Sequence, residues 1–127
     1  MIDRTYARAP FLEDYRNRRA GFLSGGQLRL LELERALLSD PELILIDEPT
    51  VGLDPRQIQI VRDLILDLAG DHTIILSTHI LQEVTMVCDR IVIIRRGTIV
   101  EDRSLKDLTA AHEGSSLEEI FLKTVEE

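Results

Sequence analysis

Four consecutive apolar residues, Leu43-Ile44-Leu45-Ile46, end abruptly in the acids Asp47-Glu48 and then Pro49. A run this short and continuous reads as a parallel strand buried on both faces, with a loop at its carboxyl end. Helical patterns flank it. Upstream, Ser24 and Gln27 have the spacing of a capping box, and Leu28, Leu31, Leu33, Leu37 and Leu38 suit an amphipathic helix that ends at Ser39-Asp40-Pro41. Downstream, Asp54 is placed to cap a second helix and Pro55 suits its first turn. Ile58, Val61, Leu64, Ile65 and Leu68 mark its inward stripe, and Gly70 closes it.

The same alternation continues. Residues 73–77 read as a strand, the Ile80, Leu81, Val84, Val87 spacing as a short helix, and residues 90–95 as another strand. Arg96-Gly97 turns the chain into a strand over residues 98–101, as an antiparallel hairpin. Ser104 with Asp107, and Ser116 with Glu119, cap two final helices. Residues 1–22 are polar and Arg-rich, broken at Pro10, and read as a partly helical lead-in. Strands alternating with helices imply an α/β fold with a mainly parallel sheet, closed by a hairpin and helices.

Composition narrows the function classes. With 127 residues, 44% of them hydrophobic, the chain has material for one modest core. A net charge of −8 argues against a broad footprint for nucleic acid or anionic lipid. The single cysteine, Cys88, excludes an internal disulfide framework and fits a reducing, cytoplasmic setting. No apolar stretch approaches the roughly 20 residues that span a bilayer, and no secretory signal is evident, so a membrane link is expected only through a partner.

Three clusters carry chemistry. Leu23-Ser24-Gly25-Gly26-Gln27 stands at a helix start, where two glycines allow close approach and exposed N–H groups favour a phosphate; a plain Ser-capped glycine loop has the same letters. Asp47 and Glu48 lie past the carboxyl end of a strand, where α/β sheets bind ligands. There one carboxylate can hold Mg²⁺ and its neighbour can orient or deprotonate water, although a solvated acid pair or a helix cap would look alike. Ser77-Thr78-His79 also follows a strand, and His79 at that rim could meet a terminal phosphate or serve as a surface cap. His72 and His112 sit in polar turn-like contexts, and Cys88 reads as a small core residue.

Order and spacing bind these clusters together. Ser24 precedes Glu48 by 24 residues, and Glu48 precedes His79 by 31. Over roughly residues 20–103 the chain resembles the second half of ATP-binding-cassette (ABC) ATPases. Residues 23–27 match the signature motif, 43–48 the Walker B strand, 52–55 the D-loop, and His79 the H-loop. The resemblance implies an incomplete P-loop NTPase fold and residue roles. Asp47 would help bind Mg²⁺, Glu48 would act on the attacking water, and His79 would contact the γ-phosphate of ATP. Ser24, Gly25, Gly26 and Gln27 would touch ATP held by a partner cassette, and Asp54 would communicate across the dimer interface. It divides the chain into the end of a helical subdomain (1–38), a Walker B, D-loop and H-loop core (39–103), and C-terminal helices (104–127).

One element of such ATPases has no counterpart in this sequence. A Gly-x-x-x-x-Gly-Lys-[Ser/Thr] loop cradles phosphates with its backbone and neutralises them with its Lys. The only two lysines, Lys106 and Lys123, each follow a leucine. The upstream adenine-stacking aromatic and the glutamine loop also lack candidate positions. The chain is therefore expected to be a C-terminal portion, inactive alone, with raw sheet edges that favour association. The implied partners are a second ABC ATPase subunit and a transmembrane permease on the inner face of a membrane. Residues 40–125 look like ATPases of ABC-2-type exporters, whereas residues 15–35 are more similar to branched-chain amino-acid importers. Two other readings are a fragment of a non-transport ABC ATPase and a silent module that lends its signature loop to a partner.

Overall fold

The computed structural model describes residues 2–112 and 114–126. The chain forms two compact units, Met1–Ser77 and Thr78–Glu127.

The first unit opens with α1 (Ile2–Arg8) and α2 (Phe11–Tyr15), then a single 3₁₀ turn at Ala20–Phe22. Helix α3 (Gly25–Leu37) starts at the anticipated capping box: the Gln27 N–H donates to Ser24 Oγ at 3.3 Å, and the Ser24 N–H donates to Gln27 Oε1 at 2.9 Å. Of the anticipated leucine stripe Leu37 is buried, alongside Gly26, Leu30 and Glu34; Leu31 and Leu33 are half-buried, and Leu28 and Leu38 are exposed. Both sets obey helical spacing, and contact with α4 (Pro55–Leu68) selects between them. Helix α4 follows expectation more closely, burying Val61, Leu64, Ile65 and Leu68.

Strands β1 (Leu43–Asp47) and β2 (Thr73–Ser77) pair in parallel, with Leu45 opposite Ile75 and Asp47 opposite Ser77. Strand β1 is not buried on both faces. Ile44 and Ile46 point inward, while Leu43 and Leu45 stand 49% and 70% exposed beside Ile75 at 57%. The apolar run satisfies two faces, but only one is covered by the described residues.

In the second unit, α5 (Leu81–Val87) leads to β3 (Arg90–Arg95) and β4 (Thr98–Ser104). These two pair antiparallel through a turn at Arg96-Gly97, with a register shift between Ile93 and Ile94. Both turn residues have positive φ, 49° and 79°, as a tight hairpin of this hand requires. The strands thus form two separate two-stranded sheets, β1–β2 and β3–β4. Helices α6 (Leu105–Ala111) and α7 (Leu117–Glu126) complete the unit. Ile91, Ile93, Leu108, Leu117 and Ile120 form its core. Leu108 is wholly buried, so Leu108→Ala should lower stability by about 2–5 kcal/mol through lost transfer energy and a residual cavity. Urea denaturation of the purified chain measures this.

Candidate functional site

The residues singled out in the sequence fall at the ends of strands and at helix starts, in local groups. At the head of α3, the Ser24 hydroxyl caps the N–H of Gln27, leaving the Gly25 and Gly26 N–H groups at the first two helical positions, where no intrahelical acceptor exists. Such a terminus carries a partial positive charge and aims donors outward, which suits a phosphate oxygen. Gly26 is buried because α4 comes very close. A Cβ there would fall 2.5 Å from Gln57 Cδ, 2.6 Å from Cγ and 2.9 Å from Cβ. The second glycine is thus fixed by packing inside the chain.

Asp54 caps α4 as the sequence suggested: the Gln57 N–H donates to Asp54 Oδ1 at 2.9 Å, and the Asp54 N–H donates to Gln57 Oε1 at 3.3 Å. The two capped termini adjoin. Ser24, Gly26, Gln27, Asp54 and Gln57 share the wall of a pocket of about 260 Å³.

The second group forms at the carboxyl ends of β1 and β2. Ser77 Oγ donates to Asp47 Oδ1, and Asp47 lies on the exposed sheet face, in line with Leu43 and Leu45. Glu48 follows with φ of 46°, a left-handed conformation that costs a non-glycine residue about 1–2 kcal/mol. A 2.9 Å bond from its N–H to the Ser77 carbonyl holds it there. The chain bends out of the strand at this residue, immediately before Pro49. Asp47 also borders a pocket of about 220 Å³ with Leu45, Pro49 and Arg29, and Arg29 is ion-paired to Glu32 at 3.2 Å.

This donor set fits Mg²⁺ only as a shared ligand. Among the described residues no group of three or more His, Cys, Asp or Glu is gathered for a metal. A single exposed carboxylate, oriented by a hydroxyl, is what Mg²⁺ commonly takes from a protein when phosphates supply other oxygens.

His79 belongs to the second unit and is exposed. The segment around it is held by Glu83, a buried carboxylate that the sequence reading overlooked. Thr78 Oγ1 donates to Glu83 Oε2 at 2.8 Å and accepts from the Ile80 N–H at 3.0 Å, so the residues on either side of His79 are linked through the Thr78 hydroxyl to Glu83 of α5. The available signal was a glutamate interrupting an otherwise apolar helix face, four residues after His79. Gln57 was also overlooked, although Asp54 and Gln57 repeat the capping spacing of Ser24 and Gln27.

The remaining histidines have backbone partners: His72 Nδ1 lies 2.6 Å from the Pro41 carbonyl, and His112 Nδ1 lies 3.1 Å from that of Leu108. Partial burial pushes the Cys88 thiol up from its ordinary pKa, and the Asp89 and Glu83 carboxylates add to this, so the sulfur is a poor nucleophile near neutrality.

Comparisons with known proteins bear on the family and the fold. Residues 11–85 match the family described as "AAA domain, putative AbiEii toxin, Type IV TA system". The chain is 38% identical over 112 residues to the ABC transporter ATP-binding protein NatA of Bacillus subtilis, covering 87% of this chain and 46% of that one. It is 41% identical over 111 residues to the Nod factor export ATP-binding protein I of a Rhizobium species, covering 87% and 36%. The solved structure of an ATP-binding subunit of an ABC transporter superposes with a TM-score of 0.74 at 32% identity, covering 94% of this chain and 54% of that one. The chain thus spans between about a third and a half of the curated relatives it matches.

Proposed function

The chain belongs to a family of AAA domains, and its relatives and structural neighbours are ATP-binding-cassette ATPases; from that premise we propose that it is the C-terminal portion of a membrane transporter's ATPase subunit, contributing part of a nucleotide site that another stretch of polypeptide completes. The observation that carries the proposal is the convergence of Asp47 and Ser77 at the ends of adjacent parallel strands, followed at once by a strained Glu48.

The chemistry supplied by bound ATP and Mg²⁺ is in-line phosphoryl transfer to water, with phosphate charge neutralised by the metal. Within it, the Asp47 carboxylate offers an anionic oxygen to the metal, steadied by the Ser77 hydroxyl. Glu48 orients the attacking water and accepts its proton, and its left-handed backbone keeps its carboxylate from competing with Asp47 for one position. His79 donates toward the terminal phosphate. The N–H groups of Gly25 and Gly26, with the Ser24 hydroxyl and Gln27, would hold a nucleotide carried by an opposing cassette, and Asp54 would lie at that interface.

None of these residues grips the β- and γ-phosphates as a lysine-bearing loop does, so the 127 residues by themselves turn over no ATP. A second ATPase subunit, a permease and a location on the cytoplasmic side of the membrane follow from the same reading, with an export role favoured by the Nod factor export relative. Mixing the purified chain with a polypeptide that carries the Gly-Lys-[Ser/Thr] loop tests the proposal. Phosphate release is expected in the mixture and from neither component alone; a mixture as silent as its parts would refute it.

A further inference from the structure

Two loops with separate duties, the signature turn and the D-loop, meet in this chain at one side chain that belongs to neither. The amide of Gln57 is used at both ends. Its Oε1 accepts from the Asp54 N–H at 3.3 Å, and its Nε2 donates to Ser24 Oγ at 3.4 Å. The second contact is long for an N–H···O bond, so the stronger link is steric: the side chain of Gln57 fills the space where Gly26 would otherwise carry a Cβ. Ser24 Oγ meanwhile accepts from the Gln27 N–H, so any shift of Gln57 is felt by the hydroxyl that caps α3.

We infer that Gln57 is a positioning residue that couples the signature turn to the D-loop within one chain, making the directions of Ser24 and Asp54 interdependent. The physical basis is a single planar amide with one donor edge and one acceptor edge, each committed to a different loop, wedged against a glycine that leaves it no slack. Movement of Asp54 must rotate that amide, and rotation either breaks the Ser24 contact or drives the side chain into Gly26. The consequence for function rests on the roles proposed above for Ser24 and Asp54.

Backbone amide NMR of the purified chain, without nucleotide, tests the coupling. Gln57→Ala should shift the amide signals of residues 24–27 as well as that of Asp54. Gln57→Glu keeps an acceptor for the Asp54 N–H but offers Ser24 no N–H and adds a charge beside the Asp54 cap, so it should shift both residues 24–27 and Asp54. Gly26→Ala should displace the Asp54 signal, and by at least about twofold less when residue 57 is already Ala, because contacting residues are non-additive. Equal displacement of Asp54 in both backgrounds would overturn the inference, as would a Gln57→Ala spectrum altered only in α4 and the D-loop. If the Gly26 variant does not fold, the Gln57→Ala and Gln57→Glu spectra decide alone. Because no nucleotide is present, a failed ATPase reading would leave these spectra unchanged, and failed coupling would leave complementation of hydrolysis unaffected.

Discussion

Glu48→Gln, introduced into a cassette completed around this chain, is expected to lower steady-state phosphate release by about 10²–10⁴-fold while leaving ATP capture within about twofold of the parent. The amide matches the carboxylate in size and tolerates the same left-handed backbone, so the Glu48 N–H bond to the Ser77 carbonyl survives. What disappears is the capacity to accept a proton from water. Asp47→Asn should behave differently. Its amide oxygen still accepts from Ser77, but the negative charge offered to Mg²⁺ is gone, so the loss should fall on magnesium-dependent capture as well as on turnover. Parallel loss of binding and turnover in Glu48→Gln would remove Glu48 from the role assigned to it.

The second large effect concerns the open face of the β1–β2 sheet. Leu45 and Ile75 face each other across the register there, with Asp47 and Ser77 one step further along the same face. On the function proposed above, the polypeptide that brings phosphate-binding donors to Asp47 is expected to cover these apolar side chains. Burying each contributes about 1.5–3 kcal/mol, so replacing both with Lys should remove about 3–6 kcal/mol of assembly energy and weaken complementation by about 10²–10⁴-fold. In the isolated chain the same pair should do the opposite and reduce self-association, because it breaks an exposed apolar patch. Sedimentation of the chain and titration of restored ATPase activity read the two effects separately. Unchanged complementation by the double variant would show that the face is not covered in the working assembly.

Much of this architecture was legible because its signals are local. The caps at Ser24, Asp54 and Ser116 need only a side chain and an N–H three residues away, and all three form as spaced. The hairpin at Arg96-Gly97 is set by backbone torsions of two residues. What was not legible depends on neighbours. Leu28, Leu31 and Leu38 fit a helical stripe with Leu37 as well as Leu30 and Glu34 do, and only the presence of α4 beside Gly26 decides which of them join Leu37 in being buried. The run 43–46 is written for burial on both sides, but periodicity cannot say what lies across the second face. Gln57 and Glu83 were missed for a related reason. Each acts on a residue already singled out, and although Gln57 stands at capping spacing after Asp54 and Glu83 interrupts an apolar helix face, neither spacing tells which neighbouring loop the side chain braces.

The site residues differ in the same way. Asp47 and Ser77 are thirty positions apart in sequence and are joined by strand pairing, which the order of motifs implied without giving the hydroxyl contact. The backbone strain at Glu48 had no sequence signature beyond the proline that follows it.

Equilibrium binding of Mg-ATP by the purified chain, measured alone and again with a polypeptide supplying the Gly-Lys-[Ser/Thr] loop, bears most directly on the claim that this chain holds only part of a nucleotide site. The account predicts a dissociation constant weaker than about 1 mM for the chain alone and at least about tenfold tightening in the mixture. Micromolar, magnesium-dependent capture by the monomer, accompanied by continuous phosphate release, would contradict it.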